Sequence, residues 1–119
     1  MFYSQMLPEK ILLKLQELNV VKSSEKIVAF YDNSLFLSAN KGLLCTESEI
    51  KVYKGKKIET YNLSDVKDIL FREIDKEAYI FKMILVTKDN KEFDVTPSSI
   101  PNDEMKLLID VINMSRKRK

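Results

Sequence analysis

Between residues 43 and 95 the dominant spacing of apolar side chains is two, in short runs separated by polar turns, and beyond two prolines it changes to three and four. A period of two places alternate side chains on opposite faces of an extended chain, so these runs read as a series of short strands. The runs are LLCT (43–46), IKVY (50–53), KIETY (57–61), KDILFREI (67–74), AYIFKMILVT (78–87) and EFDV (92–95). The breaks between them are turn-like: ESE, the Lys54-Gly55 pair and Asp89-Asn90. Gly55 is free to take the positive φ of a tight hairpin, and Asp and Asn tolerate left-handed backbone. Successive hairpins imply an antiparallel meander. Its longest strand is expected at 78–87, where Tyr79, Phe81, Met83 and Leu85 alternate with Ile80, Lys82, Ile84 and Val86.

The flanks complete the plan. Ile11, Leu12, Leu15 and Leu18 predict a short amphipathic helix over 8–18, with Pro8 and Glu9 where a first turn tolerates them. KIVAFYD (26–32) is rich in β-branched and aromatic residues and reads as a further strand. The segment 33–42 reads either as an extended excursion or as a helical turn ended by Gly42. In LSDV (63–66), Ser64 can cap one helical turn. Pro97 and Pro101 stop further pairing, Asn102 or Asp103 can cap, and Met105, Leu108, Ile109 and Ile112 form a stripe on a helix over 103–115, widened by Leu107 and Val111.

About seven short strands and then one amphipathic helix leave few solutions. A small antiparallel sheet must curl or be covered, and a terminal helix covers the open end. The expected fold is mainly β with helices: a small, partly open antiparallel barrel capped by the C-terminal helix, with an extra N-terminal helix. The divisions are 1–24 (helix and connector), 25–115 (barrel with its helix) and 116–119 (basic tail).

Composition narrows the function classes. At 119 residues the chain is one domain by length and can bury roughly two thirds of its unfolded surface. The net charge of +2 rests on Arg116, Lys117, Arg118 and Lys119; without them 16 basic side chains face 18 acidic ones, a net of −2. That balance argues against nucleic acid as a partner. A single cysteine, Cys45, allows no internal disulfide or thiolate zinc cage, and its strand position suits a buried filler. No signal-peptide pattern opens the sequence, and its longest fully aliphatic run is Met83-Ile84-Leu85-Val86. A cytoplasmic location is expected, with the inner membrane face as the alternative. With no histidine there is no ordinary proton shuttle near neutral pH. Neither a calcium-loop spacing nor a glycine-rich phosphate loop is present, so no catalytic residue, metal, cofactor or small-molecule substrate is expected.

The stretch GLLCTESEIKVYKGKKIETYNLSDVKDI (42–69) resembles the diagnostic region of the bacterial pleckstrin-homology-like family. Gly42, Leu43, Leu44, Thr46, Ile50, Val52, Tyr53, Ile58, Leu63, Asp65, Val66 and Ile69 stand where that pattern wants them, and the resemblance extends over about 25–115. Where the family usually has arginine shortly after the threonine, this chain has Glu47, Ser48 and Glu49. These are packing positions and imply a fold rather than an activity. Eukaryotic pleckstrin-homology domains that bind phosphoinositides carry clustered cations around the first hairpin; here 30–43 holds only Lys41, which argues against such a site.

Two candidate surfaces remain. Ile11, Leu15 and Leu18 form an apolar stripe outside the barrel plan, which suits a protein partner or self-association, as would an unpaired barrel edge. Lys51, Lys54, Lys56 and Lys57, with the basic tail, could instead make weak, salt-sensitive contact with an anionic membrane or ligand. Lys51 is expected on the face opposite Ile50 and Val52, and Tyr53 and Tyr61 are expected to form a cross-strand pair or to offer a contact. The leading expectation is a non-enzymatic interaction or self-association module, and the runner-up is a peripheral anion-binding one.

Overall fold

The computed structural model describes residues 2–4, 6–22, 25–32 and 41–117. Among them lie β1 (Phe2–Ser4), α1 (Glu9–Glu17), β2 (Ile27–Asp32), β3 (Lys41–Thr46), β4 (Glu49–Lys54), β5 (Lys57–Asn62), β6 (Val66–Asp75), β7 (Ile80–Thr87), β8 (Glu92–Asp94) and α2 (Asn102–Lys117). One 3-10 turn, Leu63–Asp65, joins β5 to β6. Every pairing is antiparallel, in a five-stranded sheet ordered β1-β2-β3-β4-β5 and a three-stranded sheet ordered β6-β7-β8. The two sheets do not close on each other. This is the expected mainly β, partly open antiparallel architecture with a C-terminal helix, consistent with a pleckstrin-homology-like fold.

The middle of the five-stranded sheet, β2 to β4, is largely buried on both faces, and each face has its own core. Toward the second sheet, Leu43, Cys45 and Ile50 meet Met83 and Leu85 of β7 and Met105, Leu108 and Ile112 of α2. Helix α2 packs against β1, β2, β6 and β7, which places it over the gap between the sheets. On the outer face Phe30, Leu44 and Tyr53 meet Ile11, Leu15 and Leu18. The rings of Tyr3, Phe30 and Tyr53 stack in a row, at 6.1 and 6.4 Å between centroids. A nine-residue helix is marginal alone in water. Burying each Leu or Ile side chain contributes ~1.5–3 kcal/mol, and that contact holds α1 in place.

Several expectations need correction. An eighth strand, β1, has only three residues and shows no period of its own; it pairs Phe2 with Tyr31 and Ser4 with Ala29, so residues before 24 belong partly to the sheet. β6 has ten residues against eight in β7, because its bulges let it follow the sheet past Glu73. Gly42 ends nothing: it sits inside β3, where a Cβ would lie 2.3 Å from the Tyr31 carbonyl oxygen. The rest of the ambiguous 33–42 segment, 33–40, lies outside the described residues. The 3-10 turn forms without a side-chain cap from Ser64, and Leu107 is half exposed on the solvent side of α2. Tyr53 and Tyr61 do not pair, because Tyr53 opposes Ile58 and Tyr61 opposes Ile50, three residues out of register and on opposite faces. Tyr61 instead meets Phe93 of β8 at 5.3 Å, joining the two sheets.

The free edge of β6 is covered by α2. Asn113 Nδ2 donates to the Ile69 carbonyl (3.4 Å), and Arg116 Nη2 donates to those of Val66 (3.0 Å) and Lys67 (3.2 Å). Arg116 Nη1 also donates to Asn113 Oδ1 at 2.7 Å, which orients the pair. Arg116 is therefore a structural part of α2 and not of a free basic tail; Lys117 continues the helix, and 118–119 lie outside the described residues.

Candidate functional site

The β4–β5 hairpin turns on Gly55 and Lys56, with positive φ at Gly55 alone (59°), the pattern of a type II′ turn. That turn sets Lys54 opposite Lys57, and the β3–β4 register sets Lys41 opposite Lys54. Three lysines thus form one cross-strand row, with neighbouring Cβ atoms roughly 5 Å apart. Residues two apart share a face, so Lys54 continues the inner face of Ile50 and Val52 out to the open mouth of the barrel.

There the row borders a groove of about 290 Å³. Val52 and Pro97 supply its apolar side chains, Thr96, Ser98 and Glu59 its neutral and acidic polar groups, and Lys41, Lys54 and Lys57 its cations. Behind the groove, in the core on the opposite face of β4, the Tyr53 phenol is pushed well above its usual range, first by burial and then by the Asp32 carboxylate. The Glu59 carboxylate accepts the Tyr61 hydroxyl at 3.1 Å.

Some cations elsewhere are matched with carboxylates. Arg72 makes a two-pronged contact with Glu92 at 2.7 and 3.0 Å, whose hydrogen bonds hold the Glu92 carboxyl below its usual range. Lys82 meets Asp94 at 3.0 Å. Burial alone would raise the Asp94 carboxyl, but hydrogen bonds from Thr96 and the Lys82 ion pair outweigh it and hold it low. Among the described residues Lys41, Lys54, Lys56 and Lys57 form no ion pair and no side-chain hydrogen bond. Like charges set directly opposite one another destabilise a sheet, and an anion in the groove would relieve that repulsion.

The other sequence candidates fall elsewhere. Lys51 is on the outer face, as its parity requires, but it is buried: Nζ donates to the Val20 carbonyl at 2.7 Å and lies 3.5 and 3.6 Å from Glu25 and Glu49. It ties the connector after α1 to β4 and is not open to a ligand. Ile11, Leu15 and Leu18 are 8, 0 and 8% exposed, so the apolar stripe is spent on the chain's own sheet and is not an exposed surface. Lys41 was missed as a site residue. Counting back through the 46–49 turn from Lys54 would have found it, whereas no sequence signal brings Thr96–Ser98 to the same groove.

A second, wider groove of about 560 Å³ shares Thr96, Pro97 and Ser98 with the first and is bordered by Tyr79, Ile80 and Phe81. Every residue from 73 to 80 is exposed, including Ile74, Tyr79 and Ile80. Among the described residues no group of three or more His, Cys, Asp or Glu side chains could hold a metal ion, and no helix is long and apolar enough to cross a membrane. No protein-family model, no curated protein and no solved structure matches the chain.

Proposed function

We propose that the chain is a non-enzymatic, pleckstrin-homology-like recognition module of the bacterial cytosol that binds an acidic protein segment in the Lys41/Lys54/Lys57 groove. The observation that carries this reading is the cross-strand row of three lysines, without counter-ions among the described residues, beside an apolar surface. Cations around an apolar floor suit an acidic peptide, which supplies both carboxylates and side-chain contact. A flat anionic membrane is disfavoured, because the neighbouring β6–β7 hairpin carries Glu73, Asp75 and Glu77 against Lys76 and would meet such a surface with like charge.

The test is fluorescence anisotropy with a labelled hexaglutamate peptide, with phosphatidylglycerol vesicles as a parallel arm. Expected is peptide binding that weakens with salt and falls at least ~tenfold in a Lys54→Glu/Lys57→Glu variant, since rim charges act through screened attraction. Peptide binding indifferent to that variant, or stronger binding to anionic vesicles than to peptide, would sink the reading.

A further inference from the structure

The tip of the β6–β7 hairpin combines three properties. It is acidic, with Glu73, Asp75 and Glu77 against Lys76, and among the described residues Glu73 and Glu77 make no ion pair. It is apolar, with Ile74 50%, Tyr79 67% and Ile80 45% exposed. It is also held in a costly backbone conformation: Tyr79 has φ 55°, a region that a bulky side chain enters only under constraint. The constraints are visible. Asp75 Oδ1 accepts the Glu77 and Ala78 amides at 3.0 and 3.1 Å, Asn102 Nδ2 donates to the Tyr79 carbonyl at 3.0 Å, and the Tyr79 ring stands edge-on to Phe81 at 5.1 Å. An exposed aromatic ring fixed in place beside uncompensated carboxylates is the form of an interface anchor.

Resting on the reading of the lysine groove as a site for acidic protein, the geometry points to a second copy of this chain as its occupant. The hairpin and the groove are complementary in charge, carboxylates against lysines, and in chemistry, since the groove has apolar lining from Val52 and Pro97 for an aromatic ring to meet. They also adjoin one another across Thr96–Ser98. A two-fold pairing can therefore seat each copy's hairpin in the other's groove, which gives a closed dimer and not an open chain. Tyr79 is the anchor, Glu73 and Glu77 face Lys54 and Lys57 of the second copy, and high salt weakens the pair.

Sedimentation equilibrium of the full chain, from low to high micromolar and at two salt concentrations, tests this. Expected is a salt-sensitive dimer, with association at least tenfold weaker in Tyr79→Gly. Because glycine adopts positive φ freely, that variant should unfold no more easily than the parent, which separates lost docking from lost folding. The charge-reversed variants Glu73→Lys/Glu77→Lys and Lys54→Glu/Lys57→Glu should each be monomeric alone and dimerise when mixed. A strict monomer throughout, or a dimer unmoved by Tyr79→Gly and by charge reversal, overturns the proposal. If the monomer still binds hexaglutamate through Lys54 and Lys57, only the second copy as occupant fails; if it does not, the reading of the groove fails with it.

Discussion

On the outer face of β4, Lys51 reaches the Val20 carbonyl and two carboxylates, while three residues on, Lys54 points along the inner face toward an open groove. The two lysines are chemically identical, so their different roles come entirely from parity and from what packs above each face. Removing Lys51 leaves Glu25 and Glu49 partly buried without their cation and the Val20 carbonyl without its donor. Lys51→Ala is expected to cost about 2 kcal/mol in a denaturant titration, as for loss of a buried charge-assisted network. Lys54→Ala, with no partner to lose and two like charges beside it, should change stability by less than ~0.5 kcal/mol or raise it slightly. Equal losses for the two variants would show that Lys51 is not the tie described here.

Among the elements, β6 shows how an exposed edge is managed. Its backbone pairs with β7 on one side, and on the other Asn113 and Arg116 of α2 occupy three of its carbonyls. The helix therefore does two things: its apolar stripe fills the core and its last turn closes an edge that could otherwise pair with another chain. Arg116→Ala is expected to destabilise the fold by ~1–2 kcal/mol and to increase amide exchange at the start of β6, measured by hydrogen–deuterium exchange. Unchanged exchange there would refute the edge-closing role. The same contact explains why a run of four basic residues misleads when read as a tail. Periodicity marks Met105, Leu108, Ile109 and Ile112 as buried, but it is blind to a guanidinium that reaches backbone carbonyls 49 and 50 positions earlier.

At the scale of the molecule, three layers stack around the five-stranded sheet: α1 outside, the sheet itself, then the second sheet with α2. The layers bury tyrosines whose phenols resist ionisation. Tyr31 is raised by burial and by Glu104, and Tyr53 by burial and by Asp32. An unfolded tyrosine ionises near ~10, so these groups contribute their full stability below that pH and lose it as pH rises toward the higher folded values. Denaturation midpoints should fall above about pH 10, and Tyr53→Phe should flatten that fall whatever its effect at neutral pH. An unaltered alkaline slope in Tyr53→Phe would exclude Tyr53 as its source.

Apart from the three-residue β1, the sequence by itself determined the kind of elements and their order. Strand parity, the Gly55 turn, the four-residue stripe of α2 and the stripe of α1 are local properties, set by which side chains recur at two or at three and four positions. Even the lysine row was implicit, since hairpin register follows from turn length. What only the tertiary structure decided is what each face meets: that Ile11, Leu15 and Leu18 are spent on the chain's own sheet, that Gly42 must pass under the Tyr31 carbonyl, that Arg116 closes β6, and that Thr96–Ser98 joins the lysine row to the Tyr79 hairpin. Each of these joins residues far apart in the chain, and such contacts depend on how whole layers pack rather than on any spacing along the backbone.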